Sequence, residues 1–433
     1  MIILVLLLSF LLKSLLFYVN FNLNFNSALK TIISCIVSIA VLVLIYTVHL
    51  FFGYDFTMFF QILILLNVAY IILIWRTKRH ILLIIRNVKP KFSIIYPIIL
   101  IASYFFLKAS QPWGKWDAWA IWNLHAKFLF FENEWTNFLT NSISWTHPDY
   151  PLMLPSIIAI IWKSIGEFNY LVPAIIAYMI YIGLIITIYA SISNKNLKIF
   201  GLFATLPLLF DFTYVSQSAS QYADTLLSFV ILISMIFLVN IKKKSKIYFL
   251  VFGFVASISM WIKNEGIAFF FLISLILVIL LFHRAKYKLL YYFLGALPFI
   301  AVVVYFKLVL APSNDLVEES SGIINKVLSI ERYLIIGKYL AKTLLYDYPL
   351  ILLLIILNVF FWRTIELKPI GLVLISLFLC YLCIYLITPK ELYWHLKYSM
   401  YRLIQQLYPS FIYATFINLQ QWYMKASVKQ HIQ

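Results

Sequence analysis

Asp117 is a lone carboxylate in "GKWDAWAIWNLHAKF", residues 114–128, among three tryptophans, an Asn, a His and two lysines. On an α-helix, at about 100° per residue, Trp116, Asp117, Asn123 and Lys127 fall within an arc of about 120°. Trp119 and Trp122 point the opposite way. That pattern suits an interfacial helix with tryptophans toward lipid headgroups and polar groups toward a cavity. Asp117 beside Lys127 would set a general base, or a metal ligand, near a cation able to hold phosphate. The plainer reading is an aromatic anchor with a Lys–Asp pair that serves solubility.

Three further stretches carry polar groups of the same kind. In "SWTHPDYPLMLP", residues 144–155, the prolines force an extended, rigid path and so fix His147 and Asp149 in place. Such turns also carry Asp and His for no chemical reason. In "WIKNEG", residues 261–266, Lys263 and Glu265 stand between two apolar runs, where neither can be buried without a partner. They read as the rim of a pocket or as a snorkelling hairpin tip. In "YWHLKYSMYRLIQQLYP", residues 393–409, His395, Ser399 and Arg402 recur at i, i+4 and i+7, one face of a helix. Arg402 suits a phosphate by its bidentate geometry, or anchors a membrane edge. Asp211 and Asp224 flank the Ser/Gln-rich segment "DFTYVSQSASQYAD" and can add acid to the same cavity.

The elements that must position these groups are membrane helices. The composition is 64% hydrophobic and 12% charged, outside the range of ordinary soluble domains. Apolar runs recur at 2–18, 31–52, 57–75, 92–107, 168–190, 199–215, 225–241, 247–262, 266–282, 289–310, 348–362 and 369–388. Each approaches the length needed to cross about 30 Å of hydrocarbon as a helix. The fold expected is all-α, a single integral-membrane domain over 1–433 with about 12–13 transmembrane helices. The N-terminal run lacks a basic region and a small-residue cleavage site, and reads as a first span. Residues 152–162 contain Pro155 and are too few to span comfortably; they read as lying along the surface or dipping in.

Charge sets the orientation. The formal net charge is +18, and 17 basic residues cluster at 76–91, 195–198, 242–246, 284–288 and 363–368, in every second loop. By the positive-inside rule these loops face the cytoplasm. A nucleic-acid partner is therefore not expected. The outer side then holds 108–167, a large loop with juxtamembrane helices, and 311–347, a second outer loop with Asp315, Glu318, Glu319, Glu331 and Arg332. Cys380 and Cys383 form C-x-x-C inside an apolar run and read as core residues. No Gly-rich phosphate loop, H-E-x-x-H motif or nucleophile elbow is present, so nucleotide-driven chemistry has no support.

Taken together, "KWDAWAIWNLHAKF", "THPDYPLMLP", "WIKNEG" and "YWHLKYSMYRLIQQLYP" resemble the GT-C superfamily of integral-membrane glycosyltransferases. The likeness is to bacterial members related to the protein O-mannosyltransferase and lipid A aminoarabinose transferase families. It covers most of the chain in layout, through short motifs. In that superfamily the first large outer loop carries a required acid, and Asp117 occupies that place. The resemblance implies a polyprenyl-phosphate-linked sugar donor and a glycan, lipid or protein acceptor, used at the outer face of a bacterial cytoplasmic membrane. It implies catalytic roles for Asp117, Asp149 and Glu265. Substrate contacts would come from Trp116, Asn123, Lys127, His147, Tyr150, Lys263, His395 and Arg402, with Trp119 as a further stacking face. The chain departs from the pattern in having one Asp where metal-dependent members have paired acids, and no large soluble C-terminal domain. A divalent cation, Mg or Mn, is thus left open, and no other cofactor is expected. Two other readings compete: a polysaccharide or lipid-linked-sugar flippase, and an O-antigen polymerase or ligase.

Overall fold

The computed structural model describes residues 2–21, 23, 25–76, 95–193, 197–241, 244–313, 322–360 and 368–430. Nine of the 17 clustered basic residues, and Asp315, Glu318 and Glu319, lie outside the described residues. Among the described residues every regular element is helical, with no strand. The protein is an all-α polytopic membrane protein, as the apolar runs imply.

Among the described residues, seven helices are long and apolar enough to cross a membrane: Ile2–Asn20, Ser27–Phe51, Phe56–Arg76, Leu171–Ile192, Asn264–Leu281, Lys286–Leu310 and Lys368–Ile387. The number rises to nine if each of two bent pairs is one span. Lys198–Phe210 and Phe212–Ser218 meet at 75°, and Ile330–Asp347 and Pro349–Phe360 at 100°. Ile95–Ala109, Met153–Ile165, Ala223–Val239 and Lys246–Ile262 are apolar but shorter. Met153–Ile165 has 13 residues, about 20 Å of helix, too short to cross about 30 Å of hydrocarbon. The stretch 393–409 belongs to a 39-residue helix, Leu392–Gln430, that carries Pro409 in its interior.

Ala223–Val239 is the central helix. Almost all its side chains are buried, and Leu392–Gln430 packs along it. Among the described residues the most extensive helix packing is Lys246–Ile262 against Lys286–Tyr305. Two glycines permit that approach. A Cβ on Gly253 would lie 1.8 Å from the Tyr292 carbonyl oxygen, and one on Gly295 would lie 1.9 Å from that of Leu250. Small residues let helix backbones approach closely in this way, and packing contacts replace the hydrophobic drive that lipid removes.

The segment 108–167, expected as an outer loop, contains short helices. Ala118–Trp122 is a π-helical turn, followed by Asn123–Phe130, two 3₁₀ segments and Met153–Ile165. Gly114 begins the segment at φ +72°, and a Cβ there would lie 2.4 Å from the Ser220 carbonyl oxygen. The Lys115 N–H donates to that same carbonyl. Gln221 donates to the carbonyls of Gln111 and Pro112 at 3.0 and 3.2 Å. The start of the loop is thus fastened to the residues just before the central helix.

Candidate functional site

Asp117 closes the turn before the π-helix, and its N–H donates to the Tyr222 hydroxyl at 3.3 Å. Its carboxylate meets Arg402 Nη1 at 2.7 Å. Arg402 Nη2 reaches Asp224 Oδ2 at 2.9 Å. Asp224 Oδ1 accepts from Lys263 Nζ at 3.0 Å, and Lys263 Nζ also meets Glu265 Oε1 at 2.8 Å. Five charges from four parts of the chain therefore alternate in one row: Asp117, Arg402, Asp224, Lys263, Glu265.

Asp224 is fully buried at the centre of that row. An isolated charge there would be very costly, and each neighbour supplies part of the compensation. Besides the two cations, Gln406 Nε2 donates to Oδ1 at 2.7 Å. Asp224 also sits in the first turn of its helix, where the macrodipole favours a negative group. The guanidinium of Arg402 lies 4.6 Å from the centre of the Tyr222 ring. Its charge thus meets two carboxylates and an aromatic face.

The turn that carries Lys263 and Glu265 is fixed by Gly266. A Cβ on Gly266 would lie 1.8 Å from the Ser259 carbonyl oxygen, and the Ser259 hydroxyl donates to the Gly266 carbonyl at 2.9 Å. Lys263 itself is extended, between the two helices it joins.

A cavity of about 890 Å³ opens over this row. Trp116, Asp117, His147, Tyr150, Lys263, Glu265, His395 and Arg402 line it, as do Trp145, Tyr222, Trp394 and Tyr398. Tyr150 stacks between His147 and Trp122, with ring centres 4.7 and 5.6 Å apart. His147 holds its ring there from a left-handed backbone, φ +51°, which is uncommon for a non-glycine residue. His395 Nδ1 is 2.8 Å from the Thr388 hydroxyl, which fixes that ring in the first turn of its helix.

Eight of the eleven expected site residues thus meet in one cavity. Three of the eleven do not line it. Asn123 is buried, with its amide directed to the Trp113 carbonyl and the Gln221 side chain at 3.4 and 3.5 Å. Lys127 is exposed and lies over Trp113 and Phe168, 5.4 and 5.7 Å from the ring centres. Asp149 accepts from Asn264 Nδ2 at 2.8 Å and meets Lys307 Nζ at 3.2 Å, as a strut between loop and helices. The aromatic arrangement differs too. Trp116 and Trp119 pack edge to face, with ring centres 4.4 Å apart, and only Trp122 is buried on the other side. The cause is the π-turn at 118–122, whose wider winding breaks the 100° spacing on which a shared face for Asp117 and Lys127 depended.

Lys307, Trp145, Trp394, Tyr398 and Tyr222 were not anticipated. Lys307 had a signal, a cation inside an apolar run, where an ionisable residue needs a partner. The aromatics had none, because tryptophan and tyrosine occur throughout such a chain.

Among the described residues no group of three or more His, Cys, Asp or Glu side chains could hold a metal ion. The two cavity carboxylates are each held by a side-chain cation, so a divalent ion would compete with Arg402 and Lys263. Compared with family models, with curated proteins and with solved structures, the chain matches none.

Proposed function

We propose that the chain is a glycosyltransferase that moves a sugar from a polyprenyl-phosphate-linked donor to a hydroxyl of a glycan, lipid or protein acceptor. The cavity faces the outer side of a bacterial cytoplasmic membrane in this reading. The observation that carries it is the pairing, in one aromatic-lined cavity, of a carboxylate, Asp117, with two cations, Arg402 and Lys263. The volume suits a sugar with its phosphate and an acceptor hydroxyl.

The chemistry assigns each group a task. The acceptor oxygen attacks the anomeric carbon as the bond from that carbon to the phosphate oxygen breaks. The electron pair leaves with the phosphate, whose charge Arg402 and Lys263 offset. The acceptor proton passes to Asp117. Trp116 and Trp145 offer ring faces to the sugar. The test is transfer from a polyprenyl-phosphate sugar by purified protein, with and without a chelator. No transfer to any glycan, lipid or protein hydroxyl would defeat the proposal, and chelator sensitivity would recast Asp117 as a ligand.

A flippase for a lipid-linked sugar is the second reading, supported by the two bent helix pairs. Discontinuous helices often build transport sites. Asp211 stands at one break, beside Tyr408 at 3.2 Å, and Asp347 at the other. Movement of a fluorescent lipid-linked sugar across vesicles, without transfer, would favour it.

A further inference from the structure

The row of charges contains its own substitute for a ligand. Arg402 and Lys263 are drawn together by one buried carboxylate, Asp224, which grips one cation with each oxygen. Asp224 is absent from the cavity wall, whereas both cations are part of it. Asp224 therefore works from behind. It holds two cations side by side and leaves their outer donors toward the cavity. Those outer donors are taken by Asp117 on Arg402 Nη1 and by Glu265 on Lys263 Nζ, and both of these carboxylates line the cavity.

The row carries three carboxylates and two cations, a net formal charge of −1. A bare row of that sign repels an anion. The same two cations without their outer carboxylates, on Asp224 alone, would carry +1 and attract one. We infer that Asp117 and Glu265 occupy a two-cation anion site, and that the phosphate of the lipid-linked ligand takes their place. The inference rests on the lipid-phosphate reading of the cavity, and adds an order of events to it. Asp117 stays paired with Arg402 until a phosphate arrives. Only then is its carboxylate released to take a proton from an acceptor. A pocket without the phosphate ligand thus keeps its base occupied, which guards against loss of the sugar to water.

The prediction has an unusual sign. Removing a carboxylate from the site should improve phosphate binding. A like charge within about 4–6 Å shifts a neighbouring equilibrium by roughly 10- to 1,000-fold. The measurement is the Kd of full-length purified protein for farnesyl phosphate and, in parallel, for farnesol. The variants are Asp117→Asn, Glu265→Gln and Arg402→Gln.

The wild type is expected to prefer the phosphate to the alcohol. Asp117→Asn and Glu265→Gln should each bind the phosphate at least about tenfold more tightly, with farnesol unchanged. Arg402→Gln should bind it more weakly. Unchanged or weaker phosphate binding in either carboxylate variant overturns the inference. A wild type that binds phosphate and alcohol equally overturns the lipid-phosphate reading itself. Tighter binding in both variants by a protein that transfers no sugar leaves the inference standing and removes only the transferase.

Discussion

Arg402 holds Asp117 with one terminal nitrogen at 2.7 Å and Asp224 with the other at 2.9 Å. One planar side chain thereby ties the segment 108–167 to the buried centre of the bundle. A lysine has a single nitrogen and cannot span both carboxylates in that fork geometry. Arg402→Ala should destabilise the protein by about 3–5 kcal/mol, because it strips a partner from a buried carboxylate. Arg402→Lys should cost less, yet still lose transfer. Thermal unfolding in detergent beside transfer rates checks both. Wild-type behaviour in both variants would make Arg402 a membrane anchor.

Asp117 and Lys127 separate two accounts of the same stretch. A general base contributes about 100- to 10,000-fold, so Asp117→Asn should insert normally and transfer little. Lys127 lies over Trp113 and Phe168, away from the cavity. Lys127→Ala should keep near-normal transfer and cost about 0.5–1 kcal/mol, the worth of an exposed cation–π contact. Matched transfer assays decide. A large loss in Lys127→Ala would restore a shared face for the two residues.

Gly266 is the test of the turn. A methyl group there would meet the Ser259 carbonyl at 1.8 Å. Overpacking of this kind costs about 1–3 kcal/mol. Gly266→Ala should lower the unfolding temperature and also reduce transfer, because Lys263 and Glu265 ride on the same turn. Gly253→Ala crowds the Tyr292 carbonyl equally but far from the turn in sequence. It should lower stability with a smaller effect on the rate per folded molecule.

His125 gives the segment 108–167 a dependence on acid. It is buried and stacked on Phe138, ring centres 4.3 Å apart, and burial holds its imidazole down at about 3. The unfolded residue titrates near 6.5. Protonation therefore favours the unfolded loop, and stability falls as pH drops below about 6.5, by at most about 1.4 kcal/mol per pH unit. Between pH 7 and 5 the wild type should lose more stability than His125→Gln. Parallel unfolding curves would exclude His125 as the source.

Orientation is open to direct test. A reporter at position 135 should signal the outer side, and one at position 286 the cytoplasm, if the basic loops face inward. A cytoplasmic signal from 135 would place Asp117 on the wrong face for a polyprenyl-phosphate donor used outside.

Much of the fold was legible because lipid leaves the backbone few choices. Long apolar runs must be helices, and these are. The short reach of Met153–Ile165 was readable from its length and Pro155. The bend at Asp211 was not, since a break inside an apolar run leaves the composition unchanged; the bend at Asp347 falls where the expected loop 311–347 meets the run 348–362. Within the site, the sequence marked Lys263 and Glu265 by the rule that a charge beside hydrocarbon needs a partner, Asp117 as a lone carboxylate among tryptophans, and Arg402 by its shared helix face with His395 and Ser399. It could not say which partner. Asp117 was matched to Lys127, ten positions away, on the assumption of regular α-helical winding. The π-turn at Ala118–Trp122 removed that shared face, and the partner is Arg402, in another helix. Asp224 stood out only as one acid near a polar segment. Its place at the centre of the charge row depends on the Lys263 turn and the Arg402 helix meeting the start of its own helix. Such convergence is fixed by packing across hundreds of residues, which local spacing does not encode.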